Sequence, residues 1–180
     1  MDAISEARLQ LICPLVANDV RNLAVMLDFE VQVVQALRSW NAQAALYAKG
    51  RTEPGEPCSH NGILRPVGTC LDHPLGLIVT KCLPGWSYHQ FGLAVDLCPD
   101  DPTIPGYQAD WNASHPTWKR MENAGRACGF VCGCDFRTFP DAPHFQMTGR
   151  FPVNPDDEVR QLFKDGGALA VWSEAGLMEK

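Results

Sequence analysis

Two short stretches carry side chains that could hold a metal ion and run a hydrolysis. Ser87–Leu97, SYHQFGLAVDL, contains His89 and Asp96, and Pro140–Gln146, PDAPHFQ, contains His144 with Asp141 three positions before it. Two neutral imidazoles and one carboxylate make a three-ligand set for one catalytic Zn²⁺. They leave the fourth tetrahedral position to water, which separates a catalytic zinc site from a closed structural one. Such a centre keeps a net positive charge, so it can polarise a carbonyl oxygen and bring the pKa of a bound water toward neutrality. Asp141 is the candidate general base. It sits on a loop stiffened by Pro140 and Pro143, within reach of that water without being a ligand.

These residues need elements to hold them. Gly92 permits a sharp turn after His89, and Leu93–Leu97 reads as a short buried strand in which Asp96 is an acid inside an apolar run. A buried carboxylate of this kind requires a cation or donors. Upstream, Pro14 suits a helix start, and Val16, Val20, Leu23 and Leu27 recur at helical spacing. Phe29–Leu37 alternates like a strand that ends at Arg38. Ser39 then caps a helix over Trp40–Lys49, which Gly50 terminates. Residues 50–76 read as a long irregular loop and Leu77–Thr80 as a short strand. Pro102, Pro105 and Gly106 mark a further loop between Asp100 and Trp111.

In the last third of the chain, Ser114 is the expected N-cap of a helix running to Cys128 with Pro116 in its first turn, and Gly129 follows. Phe130–Cys132 and His144–Met147 read as strands. A helix starts at Asn154-Pro155-Asp156-Asp157 and stops at Gly166-Gly167, and a short last helix carries Val171 and Trp172. The fold class is therefore α+β, with helices packed on a small, mostly antiparallel sheet.

Composition narrows the function. With 46% hydrophobic and 20% charged residues over 180 positions, the chain reads as one ordinary globular domain, 1–180. A formal net charge of −6 argues against holding nucleic acid or anionic wall polymers through bulk electrostatics. No apolar run approaches the roughly 20 residues that span a bilayer, so membrane insertion is not expected. The opening MDAISEARLQLICPL lacks a basic region followed by a long apolar core, so a conventional signal peptide is not expected either. Eight cysteines permit a disulfide framework. A bridge from Cys58 to Cys70 is the expectation in an oxidising compartment, with free buried thiols and a second closed zinc site as alternatives. Cys58, His60, Cys70 and His73 could bind metal, although their spacing matches no common zinc pattern. His60, His73 and His115 are otherwise read as bystanders.

The run SxHxxGxAxD followed by DxPH resembles the zinc peptidases of the D-alanyl-D-alanine carboxypeptidase and endolysin superfamily, whose fold is shared with the hedgehog domain. Arg38-Ser39, Gln43 and LYAKGRTEPG (Leu46–Gly55) resemble the segment that precedes the zinc motif in phage L-alanyl-D-glutamate endopeptidases. The resemblance covers about residues 30–150, with 151–180 as a helical extension and an apparent insertion of about twenty residues before the zinc motif.

The resemblance implies zinc as cofactor, His89, Asp96 and His144 as ligands, and Asp141 as base. It implies Arg38 as the cation facing the tetrahedral intermediate, its alternative being a surface ion pair, and Ser87 and Gln43 as groups that orient the peptide. It further implies an enzyme acting at the cell wall on the peptidoglycan stem peptide, most directly at the L-alanyl-D-glutamate bond; a monomer is expected, and the lack of a conventional signal peptide leads to the expectation of synthesis in the cytoplasm. Release of a terminal D-alanine is the second enzymatic reading, and a zinc-stabilised binding module without turnover is the third. The segments flanking the motif, Cys82–Trp86 and Phe136–Pro143, hold only Arg137 and Asp141 as charged groups. Such a lining suits an open groove better than a pocket closed around two charged termini.

Overall fold

The structure is a computed structural model. It describes residues 1–60, 63–100 and 109–178, and of His60 and Ile63 the backbone alone. In chain order the regular elements are α1 (Ala3–Leu9), α2 (Pro14–Val25), β1 (Val31–Gln35), α3 (Trp40–Ala48), β2 (Cys58–His60), β3 (Ile63–Arg65), β4 (Ala94–Pro99), α4 (Pro116–Ala127), β5 (Val131–Cys132), β6 (His144–Gln146) and α5 (Asp157–Glu174). Short 3₁₀ turns cover Tyr88–Phe91 and Gly133–Asp135. The chain divides into two compact units, Met1–Leu37 with Tyr88–Lys180, and Arg38–Ser87 between them.

In the first unit a four-stranded sheet runs β1-β4-β6-β5, each neighbouring pair antiparallel. Its order follows from burial. β4 lies second in the sheet and is apolar on both sides except at Asp96, whereas β5 is two residues long. Val16, Ala17, Val20 and Leu23 of α2 and Trp118, Met121 and Ala124 of α4 fill the core with Val95, Leu97 and Phe145 of the sheet. The Trp172 indole of α5 donates to the Phe91 carbonyl at 2.7 Å, which ties the last helix to the Tyr88–Phe91 turn.

Arg38–Ser87 contains α3, capped by the Ser39 hydroxyl accepting from the Ala42 amide at 3.2 Å, and the antiparallel hairpin β2–β3.

Several sequence expectations need correction. α1 was missed, although Asp2 caps it by accepting from the Ser5 amide at 2.7 Å. The cap of α4 is His115, not Ser114, because Pro116 fixes the first helical position and forces the residue before it into an extended conformation. The 50–76 segment carries a hairpin. Leu77–Thr80 is not a strand, since Leu77 makes a single bridge to Glu56. The segment 101–108, expected as a loop, lies outside the described residues. The break at Gly166-Gly167 appears as a kink inside α5, where Gly167 adopts φ 68°.

Candidate metal centre and active site

Three elements of the first unit bring the metal-type side chains together. Asp96 and His144 are directly opposite one another across β4 and β6, so antiparallel register alone puts both on one face of the sheet. His89 comes from the Tyr88–Phe91 turn, which Gly92 at φ 68° lets reverse into β4. An added Cβ at Gly92 would press on the Trp172 ring at 3.1 Å.

The hydrogen bonds around the two imidazoles fix which nitrogens point inward. His89 Nδ1 lies 2.8 Å from the Ala36 carbonyl, which can only accept, so Nδ1 carries the proton and Nε2 keeps its lone pair. The Gln146 amide donates through Nε2 to the Val153 carbonyl at 2.6 Å, which turns its Oε1 toward His144. His144 Nε2 therefore donates to that oxygen at 2.9 Å, and Nδ1 keeps its lone pair. Three acceptors then face each other. His89 Nε2 is 3.1 Å from Asp96 Oδ1 and 3.2 Å from His144 Nδ1, and His144 Nδ1 is 3.4 Å from Asp96 Oδ1.

Three lone-pair atoms at this spacing repel unless a cation or a proton sits among them. For nitrogen and oxygen ligands about 2.0–2.1 Å from a tetrahedral ion, the ligand–ligand edges are about 3.3 Å. The observed edges match that figure, so the residues fit a metal ion.

The electrostatics agree. Burial pushes the Asp96 carboxyl up, but the charge and hydrogen bonds of His89 and His144 more than offset it and hold it well below the usual carboxylate range. Burial lowers the pKa of His144, and its bond to Asp96 outweighs this and raises it.

Asp141 is half-buried at the entrance to β6. Its amide donates to the Gly133 carbonyl at 2.9 Å and its carbonyl accepts from the His144 amide at 3.1 Å, so the backbone of the candidate base and of one candidate ligand form a single turn. Its charge is among those that raise His144. Gly133 packs tightly beneath this turn. A Cβ there would lie 2.4 Å from the Asp141 carbonyl oxygen and 2.8 Å from His144 Cβ. The Gly133–Asp135 turn is tied to Arg126 of α4, whose guanidinium donates to both oxygens of Asp135 at 2.9 and 2.8 Å.

Arg38, Gln43 and Ser87 belong to the second unit. Gln43 is fully buried, its Oε1 accepting from Arg38 Nη1 at 3.0 Å and its Nε2 donating to the Cys82 carbonyl at 2.8 Å. Ser87 is buried. None of the eight cysteines is in a disulfide, Cys58 and Cys70 included.

Sequence reasoning missed three supports of the centre: the Ala36 carbonyl, Gln146 and Gly133. Gln146 had a signal, because position i+2 of a strand shares the face of His144. Gly133, flanked by two cysteines, had none.

Residues 82–147 match a family model described as D-alanyl-D-alanine carboxypeptidase. That span contains His89, Asp96, Asp141 and His144 and excludes Arg38 and Gln43. The chain is 27% identical over 135 residues to the peptidoglycan L-alanyl-D-glutamate endopeptidase CwlK of Bacillus subtilis (strain 168), covering 73% of this chain and 68% of that protein. Its fold is similar to the crystal structure of the Serratia marcescens L-Ala D-Glu endopeptidase ChiX, with a TM-score of 0.53 and 22% identity over 83% of this chain and 90% of that one.

Proposed function

We infer, from the match of residues 82–147 to the D-alanyl-D-alanine carboxypeptidase family and from the similarity to the Bacillus subtilis endopeptidase, that this protein is a zinc-dependent hydrolase of the peptidoglycan stem peptide, acting at the cell wall on the L-alanyl-D-glutamate bond. The observation that carries the metal part is the meeting of three inward lone pairs, His89 Nε2, Asp96 Oδ1 and His144 Nδ1. Zinc held there would supply a Lewis acid for the scissile carbonyl and for the attacking water.

The other roles belong to the chain. The Asp141 carboxylate accepts a proton from the attacking water and returns it to the departing amine nitrogen. Its main chain, bonded to Gly133 and to His144, keeps the base in fixed relation to one ligand. Arg38, on the resemblance alone, supplies a fixed cation for the developing oxyanion. Gln43 acts through Arg38, since both ends of its buried amide are engaged, and Ser87 is retained as a peptide-orienting group.

The choice of bond is supported by the LYAKGRTEPG segment, by the sparse charge flanking the motif, and by the activities named for the two relatives. Mass spectrometry of muropeptides after incubation with the zinc-loaded protein tests it. A new free amine on D-glutamate is expected. Free D-alanine with an intact alanine–glutamate bond would replace this reading with a carboxypeptidase.

Among the described residues no helix is long and apolar enough to cross a membrane.

A further inference from the structure

A second group of ligand-type side chains lies within Arg38–Ser87. After the β2–β3 hairpin, in which Cys58 is opposite Arg65, the chain folds back through two turns. The Thr69 amide and hydroxyl donate to the Pro66 carbonyl at 3.1 and 2.7 Å. The Gly68 amide donates to Pro74 at 3.1 Å and the Gly76 amide to His73 at 2.9 Å. These bonds return Cys70 and His73 to Cys58. The two sulfurs and an imidazole nitrogen of His73 lie within 4.8 Å of one another, with Cys70 Sγ 3.9 Å from His73 Nδ1.

The surroundings explain why such a group would matter. Among the described residues of Arg38–Ser87, Cys58 and Cys70 are the only buried apolar side chains, while Leu64, Leu71, Ile78 and Leu83 are exposed. A segment with so little apolar burial lacks a core of its own and needs a staple. A disulfide would use the two sulfurs alone. A metal uses all three.

We propose that Cys58, Cys70 and His73 form a second, structural metal site, of the zinc type, that clamps residues 56–77. Tetrahedral zinc with one sulfur and one nitrogen ligand sets an edge of about 3.6 Å, so the observed 3.9 Å closes with a small rotation of an exposed His73 side chain. The two thiols lose their protons on binding, and Cys58, Cys70 and His73 are the ligands that the described residues supply. This site is independent of the catalytic assignment.

Cobalt titration of the reduced, metal-depleted full chain tests it. Co²⁺ bound by thiolates gives a charge-transfer band in the near ultraviolet, and a His–Asp–His site gives none. The wild type is expected to take up two equivalents and to show the band. The Cys58→Ser/Cys70→Ser variant should bind one equivalent without it, and His144→Ala should keep the band while losing the other equivalent. His73→Ala changes an exposed residue and leaves the fold intact. It should weaken the band-forming site by more than the ~10-fold typical of lost outer-shell partners. The proposal is overturned by a wild type that binds cobalt without the band, by a band that survives loss of both cysteines, or by unchanged affinity in His73→Ala. Peptide mapping that finds Cys58 joined to Cys70 in the freshly isolated protein would equally overturn it.

Discussion

Replacing Gly133 by Ala tests whether the base and the ligand share one positioning device. The new Cβ would sit 2.4 Å from the Asp141 carbonyl oxygen and 2.8 Å from His144 Cβ, and ordinary contact with that oxygen begins about 1 Å further out. Two neighbours could move to relieve it. His144 lies on β6, opposite Asp96 of β4 on one side, and its neighbour Phe145 is paired to β5 on the other, whereas Asp141 lies on a half-buried loop. The loop should give way first. A misplacement of about 1 Å at a catalytic group costs roughly 10²-fold in rate, and the overpacking itself costs about 1–3 kcal/mol of stability. Muropeptide cleavage should therefore fall about 10²-fold while zinc content, read by atomic spectrometry, falls little and the melting temperature drops. Wild-type turnover in Gly133→Ala at full zinc loading would refute the coupling of Asp141 to this turn.

Other expectations follow from the same geometry. Asp141→Asn removes the base without removing a ligand, so zinc should stay near one equivalent at the catalytic centre while the rate falls by at least ~10²-fold. Loss of zinc in this variant would show that Asp141 is a ligand. His89→Ala, Asp96→Ala and His144→Ala should each lower catalytic zinc and activity together, and a variant that kept both would be excluded from the ligand set. Zinc affinity should depend on pH with a definite sign. In the metal-free protein His144 is raised and Asp96 is depressed, so as pH falls through the raised His144 value a proton increasingly competes with the metal and affinity declines. Asp96 remains ionised across that range. A chelator-competition titration over the histidine range measures this, and affinity independent of pH there would contradict the hydrogen-bond assignment.

The parts of the fold that were legible in the sequence are those whose signal is local. The stripe of Val16, Val20 and Leu23, the Ser39 cap and the apolar run around Asp96 each announced an element that is present. The helix α1 was not legible because its short sequence carries only Leu9 and Ser5 inward, too few positions to show a period. The β2–β3 hairpin was not legible because its strands are three residues each and its stabilisation comes from turns further along the chain. In the candidate site, residue types gave the candidate ligands that the fold brings together. The supports could not be read in the same way, since a backbone carbonyl such as Ala36 O has no residue type and the tight packing at Gly133 exists only once the chain has folded.

Register explains how a set of mutually repelling acceptors can be held ready for a metal. Asp96 opposes His144 only while Val95 opposes Phe145, and both of those side chains are fully buried on the other face of the sheet. A slip by one residue would expose that pair and carry the ligands to the wrong face. The hydrophobic core therefore fixes the ligand geometry, and the Ala36 carbonyl and Gln146 fix the imidazole orientations. None of these interactions requires the ion. The metal-free first unit should accordingly remain folded, with protons standing in for the cation, and loss of the catalytic metal becomes a loss of chemistry without a loss of fold. The 56–77 segment is the opposite case: among its described residues the buried apolar side chains are the two cysteines, so removing a metal from them would remove the contacts that order the segment.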